Sequence, residues 1–195
     1  MIIVILLTSS CGGNPEKKSS TEEEANRQED TREANSAIDA QYMRSAALQG
    51  KLLEVQKTVD QGIDVNAADD AGRTALMLAS FNGHTDVARL LLEKGAQTEV
   101  RNAEGRTPLI FAASGPYAET VELLLEWDAD PDVVDEVEGW SALMFAAAGG
   151  HAEVVETLLS YNANAQLQDK DGDRAIDFAR NNNHMRVVSL LQDAK

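Results

Sequence analysis

The chain has 195 residues, of which 43% are hydrophobic, 26% are charged and only 5% are aromatic. Its formal net charge of −16 argues against binding to a nucleic-acid backbone, which requires clustered Lys and Arg. The same charge favours a basic protein as partner, with simple solvation of a helical surface as the alternative. A single cysteine excludes an internal disulfide framework.

The first eleven residues have the layout of a secretory signal. Ile2–Leu7 is an uninterrupted apolar run, and three small polar residues separate it from Cys11. The run is too short to span a bilayer, which takes roughly 20 apolar residues. This segment resembles a bacterial lipoprotein signal, in which a peptidase cuts before the cysteine and acyl chains such as palmitate are attached to it.

This resemblance implies that residues 1–10 are removed and that Cys11 is a lipid anchor. It therefore predicts a membrane protein of the bacterial cell envelope that faces the periplasm. Gly12 rather than Asp follows the cysteine, which in the Gram-negative family implies delivery to the outer membrane. The alternative is a chance apolar leader on a cytoplasmic protein.

Residues 11–39 are predicted to be a disordered tether. They contain almost no large apolar residue, and Glu22-Glu23-Glu24 forms a block of like charge. Such a segment has nothing to offset the entropy lost on ordering. We expect it to act as a flexible spacer between the anchor and a folded domain over residues 40–195.

That domain is an array of repeats. One column of alanines recurs at intervals of 33, 33, 34 and 33 residues: Ala46, Ala79, Ala112, Ala146 and Ala179. A period of this length indicates stacked copies of one small unit, each of which buries its apolar side against its neighbours. The array presents an exposed flank that is suited to binding another macromolecule.

Other columns predict the structure of each unit. A leucine or isoleucine three residues before the alanine shares its helix face, and Thr74, Thr107 and Ser141 are placed to cap the start of that helix. A second, Leu- and Val-rich helix ends at a column whose residue types tolerate a left-handed backbone, namely Gly62, Gly95, Asp128 and Asn162. One extra residue within Val133–Gly139 is predicted to lengthen a hairpin loop.

The segments Asp69–Leu76, Leu90–Ala96 and Gly105–Leu109 resemble the ankyrin repeat, and Thr107-Pro108-Leu109 keeps its signature. The resemblance covers about Met43–Leu191. It implies an all-α solenoid of helix-turn-helix units joined by β-hairpin-like loops. About five repeats are expected, the first and last acting as caps, in a monomeric protein.

Ankyrin proteins bind their partners through hairpin tips and short inner helices. The resemblance implies that the residues at the corresponding repeat positions of this chain form its binding surface. The resulting candidate residues are Arg73, Phe81, Arg101, Arg106, Ser114, Trp140, Ala148 and Asp173. Exposed Arg and Trp often dominate interface energetics. The alternative is that Phe81 and Trp140 pack against neighbouring units and that the arginines pair with local acids.

The sequence predicts no catalytic residue, metal site or cofactor. His84, His151 and His184 occupy one column, so they are separated by about 10 Å for each unit between them and do not converge on a metal. We expect them to make hydrogen bonds at the turn between helices. The acidic run between Asp128 and Glu138 lacks the glycine and the glutamate spacing of a calcium loop, which favours a solvated hairpin.

Two functional hypotheses follow. The first is a non-catalytic protein–protein interaction module that is held in the bacterial cell envelope by lipid. The alternative is an inhibitor or immunity-type protein that neutralises a basic enzyme or toxin through its acidic surface. The sequence leaves the choice open.

Overall fold

The computed structural model describes residues 36–194. The predicted signal peptide, Cys11 and the predicted tether up to residue 35 lie outside this range. Residues 36–39, which the sequence analysis assigned to the tether, are helical. Ten helices are found in the described residues: α1 (36–48), α2 (Leu52–Asp60), α3 (Ala75–Phe81), α4 (Thr85–Glu93), α5 (Pro108–Ala113), α6 (Ala118–Glu126), α7 (Ala142–Gly149), α8 (Ala152–Ser160), α9 (Ala175–Asn181) and α10 (Met185–Asp193).

The helices form antiparallel pairs that stack in chain order. From α3 onwards, each odd-numbered inner helix contacts the next inner helix, and from α2 each even-numbered outer helix contacts the next outer helix. Within residues 36–194 the β pairing is limited to one isolated antiparallel bridge between Val134 and Ser141. The predicted all-α solenoid is confirmed.

The repeated alanines are buried where neighbouring inner helices meet. Ala79, Ala112, Ala146 and Ala179 are all 0% exposed, and Ala46 is 2% exposed. A small side chain at this position lets adjacent helices approach closely, whereas a larger one would overpack the contact. The core is therefore continuous from unit to unit along the stack.

The predicted caps are present at the inner helices. The hydroxyls of Thr74 and Ser141 accept hydrogen bonds from the backbone N–H groups three residues later, at 3.4 and 3.3 Å. In the last unit Arg174 replaces the hydroxyl residue. There the carboxylate of Asp177 accepts a hydrogen bond from the Arg174 N–H at 3.1 Å, which satisfies a backbone donor at the helix start in a different way.

The column that ends the outer helices has the predicted left-handed backbone. Its φ angles are +85° at Gly62, +91° at Gly95, +60° at Asp128 and +63° at Asn162. Glycine adopts this conformation without steric cost, and Asp and Asn tolerate it better than other side chains. Each outer helix therefore stops at the same point and turns into the next hairpin.

The extra residue of the fourth unit lies in its hairpin, as predicted. At Asp69, Asn102 and Asp169 the backbone N–H bonds to the carbonyl four residues later. In the longer hairpin, the N–H of Asp135 bonds to the carbonyl of Trp140, five residues later, at 3.0 Å. The helices on both sides keep their register because the loop absorbs the insertion.

Candidate protein-binding surface

Each hairpin is closed by the side chain of an Asp or Asn at its base. Oδ1 of Asp69 accepts hydrogen bonds from the N–H groups of Ala71 and Arg73 at 3.0 and 2.8 Å. Asn102 and Asp169 do the same in their own hairpins. This bonding holds the tip residues in fixed positions.

Neighbouring tips are also joined to each other by backbone hydrogen bonds. The N–H of Ala103 donates to the carbonyl of Ala71 at 2.9 Å, and the N–H of Glu136 donates to Glu104 at 2.9 Å. The N–H of Lys170 donates to Glu138 at 3.0 Å. The tips therefore form a row that is joined by backbone hydrogen bonds from one unit to the next.

Arg73 pairs with an acid of its own hairpin. Its guanidinium lies 2.8 Å from Oδ2 of Asp69, and its side chain remains 48% exposed. Partial burial alone would raise the pKa of Asp69, but the bonds from the Arg73 side chain and from backbone N–H groups outweigh it and lower that pKa. The arginine is therefore neutralised but accessible.

Arg106 is fixed on three sides. Nε lies 3.2 Å from Oδ2 of Asp135, and Nη1 lies 2.7 Å from Oε2 of Glu104. The guanidinium carbon sits 5.1 Å from the ring centroid of Phe145, within cation–π distance. Both Arg73 and Arg106 therefore pair with nearby acids, which was the alternative interpretation of these arginines in the sequence analysis.

Arg101 differs from these two arginines. It is exposed, and its Nη1 donates to the carbonyl of Val134 at 3.4 Å. Within residues 36–194, no carboxylate lies within ion-pair distance of it. Its positive charge is therefore available to an acidic group of a partner.

Trp140 packs between neighbouring units, which was the alternative interpretation of this residue in the sequence analysis. Its ring centroid lies 5.1 Å from that of Phe145 and 4.3 Å from that of Phe178. The indole Nε1 donates a hydrogen bond to Oδ2 of Asp169 at 3.1 Å. Trp140 is half-buried and ties the longer hairpin to the last unit.

The other candidate residues differ in exposure. Phe81 is 47% exposed and meets Phe111 edge to face at 6.1 Å between ring centroids. Ser114 is exposed, with its hydroxyl donating to the carbonyl of Phe111 at 2.7 Å. Ala148 is half-buried and Asp173 is exposed. In the described part of the chain, no side-chain hydrogen bond, ion pair or aromatic contact links any two of these four residues.

Sequence reasoning missed a column of the inner helices. Phe111, Phe145 and Phe178 each precede a repeat alanine by one residue, and all are half-buried. Together with Phe81 and Trp140 they form what we call the aromatic row. The signal that could have found them was their spacing of 34 and 33 residues, equal to the repeat period.

The histidines hydrogen-bond across units. Nε2 of His84 lies 3.1 Å from the carbonyl oxygen of Leu48, and His151 and His184 make the equivalent contacts with Ser114 and Ala148 at 3.2 and 3.1 Å. Because a carbonyl only accepts, each Nε2 carries the proton that it donates. The prediction of a structural role is confirmed, with the partner in the preceding unit.

The carboxylates of the acidic run accept hydrogen bonds from loop backbone N–H groups and do not converge on one site. Oδ1 of Asp132 accepts a hydrogen bond from the Asn164 N–H at 2.8 Å, and Oδ1 of Asp130 accepts one from the Asp132 N–H at 2.9 Å. Asp135 is 2% exposed, so the predicted solvated hairpin was wrong at this residue. In residues 36–194, no group of His, Cys, Asp and Glu side chains is arranged to hold a metal ion.

The fold and this surface define a repeat protein built of stacked helix pairs with projecting hairpins. The family model for ankyrin repeats (3 copies) matches residues 43–135 and 118–195, so the chain belongs to the ankyrin-repeat family. It is therefore a protein-interaction module. None of the helices of residues 36–194 combines the length and the apolar character needed to cross a bilayer.

Similar proteins share the repeats over short stretches. The chain is 46% identical over 55 residues to human ankyrin repeat domain-containing protein 39, covering 28% of this chain and 30% of that protein. It is 41% identical over 59 residues to mouse ankyrin repeat domain-containing protein 40, covering 30% and 16%. It is 33% identical over 64 residues to acyl-CoA-binding domain-containing protein 2 of Arabidopsis thaliana, covering 33% and 18%. The chain thus spans less than a third of the length of these relatives.

Proposed function

We propose that this protein is a non-catalytic interaction module that binds another protein through its hairpin tips and inner helices, while lipid on Cys11 tethers it in the bacterial cell envelope. The observation that supports the binding surface is the regular presentation of the tips, which are bonded both internally and to one another. A surface fixed in this way loses little entropy when a partner binds.

The contacts of the candidate residues suggest which of them meet a partner. Arg106 makes ion pairs and Trp140 packs against Phe145 and Phe178, so replacing either residue with alanine would disturb the fold as well as binding. Arg73, Phe81 and Arg101 are exposed, and they make a surface ion pair, an edge-to-face ring contact and a 3.4 Å hydrogen bond, respectively. We assign the binding role to these three residues first.

The test is differential affinity capture from envelope extracts. The wild type is compared with the triple variant Arg73→Ala, Phe81→Ala, Arg101→Ala. A matched control, Tyr42→Ala, Arg89→Ala, Arg186→Ala, removes one exposed aromatic side chain and two arginines elsewhere on the repeats. We expect a partner that the control retains and the first variant loses; identical partners for all three proteins would reject the proposed surface.

The lipid anchor is tested separately on the mature amino terminus. Mass spectrometry of the membrane fraction should show a protein that begins at acylated Cys11, and Cys11→Ser should release the protein from the membrane. An intact Met1 with unmodified Cys11 would contradict the anchor and leave the binding proposal unaffected.

An inhibitor of a basic enzyme or toxin is the second candidate. The net charge of −16 and the exposed tip acids Glu136, Glu138, Asp171 and Asp173 favour it, because acidic surfaces accelerate association with basic partners. Stoichiometric loss of the captured enzyme's activity on addition of purified protein would support this role. If the captured enzyme kept its full activity in the complex, the first proposal, an interaction module that does not inhibit its partner, would be supported.

A further inference from the structure

A second exposed surface lies at the ends of the outer helices α6 and α8. These helices are capped by Trp127 and Tyr161, which occupy the same column of successive units. Trp127 is 41% exposed and Tyr161 is half-buried. When a partner covers a large aromatic side chain that is exposed to water, the free energy of the system falls.

Glutamates flank this aromatic pair. Glu119, Glu122 and Glu126 are exposed on α6, at spacings of three, four and seven residues that place them on one ridge of the helix. The helices α6 and α8 are in contact, and Glu126 and Tyr161 both lie at the C-terminal ends of these helices. Burial and the charges of Glu126 and Glu122 raise the pKa of the Tyr161 hydroxyl. Glu153 of α8 is exposed in the same column as Glu119.

The C-terminal part of this ridge is electrostatically unfavourable for the isolated fold, whereas Glu119 lies in the first turn of α6, where the helix dipole favours a negative charge. Like charges three or four residues apart repel each other on a helix. Glu126 also lies in the last turn of α6, at the negative end of the helix dipole, where that helix has no basic residue. Across residues 36–194, no Lys or Arg lies within ion-pair distance of Glu119, Glu122 or Glu126.

We propose that the acidic outer face, formed by Glu119, Glu122, Glu126, Trp127, Glu153 and Tyr161, binds a basic segment of a second protein. Lysine or arginine side chains of that segment pair with the glutamate ridge, and an apolar side chain covers Trp127. This site is separate from the hairpin tips and does not depend on the function proposed for them. Two such surfaces would let the protein bridge two partners.

The geometry favours a basic segment over other occupants. The ridge from Glu119 to Glu126 extends about 10 Å along α6, which is too long for one metal ion to span. A second copy of this chain carries the same net charge of −16, so it would be repelled. The negative surface of an anionic membrane would be repelled for the same reason.

The test uses the tryptophan itself as reporter. The chain has two tryptophans, so Trp140→Phe in the full chain leaves Trp127 as the only one. The probe is a short peptide of lysines and leucines, compared with the same peptide in which glutamate replaces every lysine. We expect the lysine peptide alone to shift Trp127 emission to shorter wavelength, and its affinity to fall as salt rises.

Matched variants then locate the site, with binding measured by anisotropy of the labelled lysine peptide on the chain that retains both tryptophans. We expect Glu119→Gln, Glu122→Gln, Glu126→Gln to weaken binding about tenfold, and Trp127→Ala to weaken it severalfold. The control Glu138→Gln, Asp171→Asn, Asp173→Asn removes the same charge from the hairpin tips and should change affinity less than about twofold.

Several outcomes would overturn the proposal. If the α6 variant and the hairpin-tip control weakened peptide binding equally, the peptide would be attracted by the net charge of the protein and would not occupy a specific site. An unchanged Trp127 spectrum at saturating peptide would place the peptide elsewhere. A shift produced by calcium ions alone, or self-association through Trp127 in sedimentation, would assign the face to a different occupant.

Discussion

Arg106 and Asp135 come from the hairpins of successive units, and Nε of Arg106 donates a hydrogen bond to Oδ2 of Asp135 at 3.2 Å. The other carboxylate oxygen accepts the backbone N–H groups of Glu138, Gly139 and Trp140 at 3.0, 2.9 and 3.2 Å. One buried acid thus shapes the longer hairpin and fixes it to the preceding unit.

Removing this acid should destabilise the domain. Asp135→Ala leaves three backbone donors and the Nε–H of Arg106 without their acceptor, while Nη1 of Arg106 keeps its pair with Glu104; we expect this to cost about 3 kcal/mol of unfolding free energy. Denaturant unfolding measures the loss. The control Asp173→Ala, at an exposed hairpin position, should change stability by less than about 0.5 kcal/mol; equal effects of the two changes would reject the structural role of Asp135.

The same acid should make stability depend on pH. Burial alone would raise the pKa of Asp135, but the backbone N–H groups and Arg106 outweigh it and hold that pKa below the ordinary value of 3.8. The stabilisation is therefore fully present above about pH 4 to 5, and it is lost as the pH falls below 3.8 through the folded-state pKa.

The comparison of the wild type with Asp135→Asn isolates this residue from the other acids. Asp69 and Asp177 also have lowered pKa values, so both proteins should lose stability in acid. We expect the difference in unfolding free energy between them to be constant near neutral pH and to shrink as acid protonates Asp135. A difference that stays constant to pH 3 would contradict the assignment.

The helices, their caps and the left-handed column were predictable because each depends on local sequence that recurs at every unit. Thr74 and Ser141 cap helices, and Asp128 ends one, for reasons contained within a few residues. The contacts of Arg106 and Trp140 could not be predicted from the residues next to them in the sequence. Their contacts depend on which side chains the neighbouring hairpin presents, and that depends on stacking geometry and on the extra residue of one loop.

The alanine column gives a direct test of the stacking. Ala146 is 0% exposed between inner helices, so Ala146→Leu should overpack the contact and lower stability by about 1–3 kcal/mol. Ala37 is exposed at the start of the described helix α1, so Ala37→Leu should leave the melting temperature nearly unchanged. Calorimetry of both variants measures this, and equal shifts would refute the alignment of the repeats.

Two glycines distinguish backbone strain from close packing. Gly150 and Gly62 both have left-handed backbones, with φ of +72° and +85°. A Cβ at Gly150 would lie 2.6 Å from Nδ1 of His184, whereas nothing lies within 4 Å of a Cβ at Gly62. Gly62→Ala should therefore cost about 1 kcal/mol from the backbone alone, and Gly150→Ala should cost about 1–3 kcal/mol more because the histidine ring must move.

A double-mutant cycle assigns this extra cost to the histidine. In a His184→Ala background the clash is absent, so Gly150→Ala should cost no more than Gly62→Ala does in the wild type. His184 also bonds to the carbonyl of Ala148 in the preceding unit, so moving its ring weakens a contact between units. If Gly150→Ala is equally costly with and without His184, the left-handed backbone alone explains the glycine, and the ring does not set the packing at this turn.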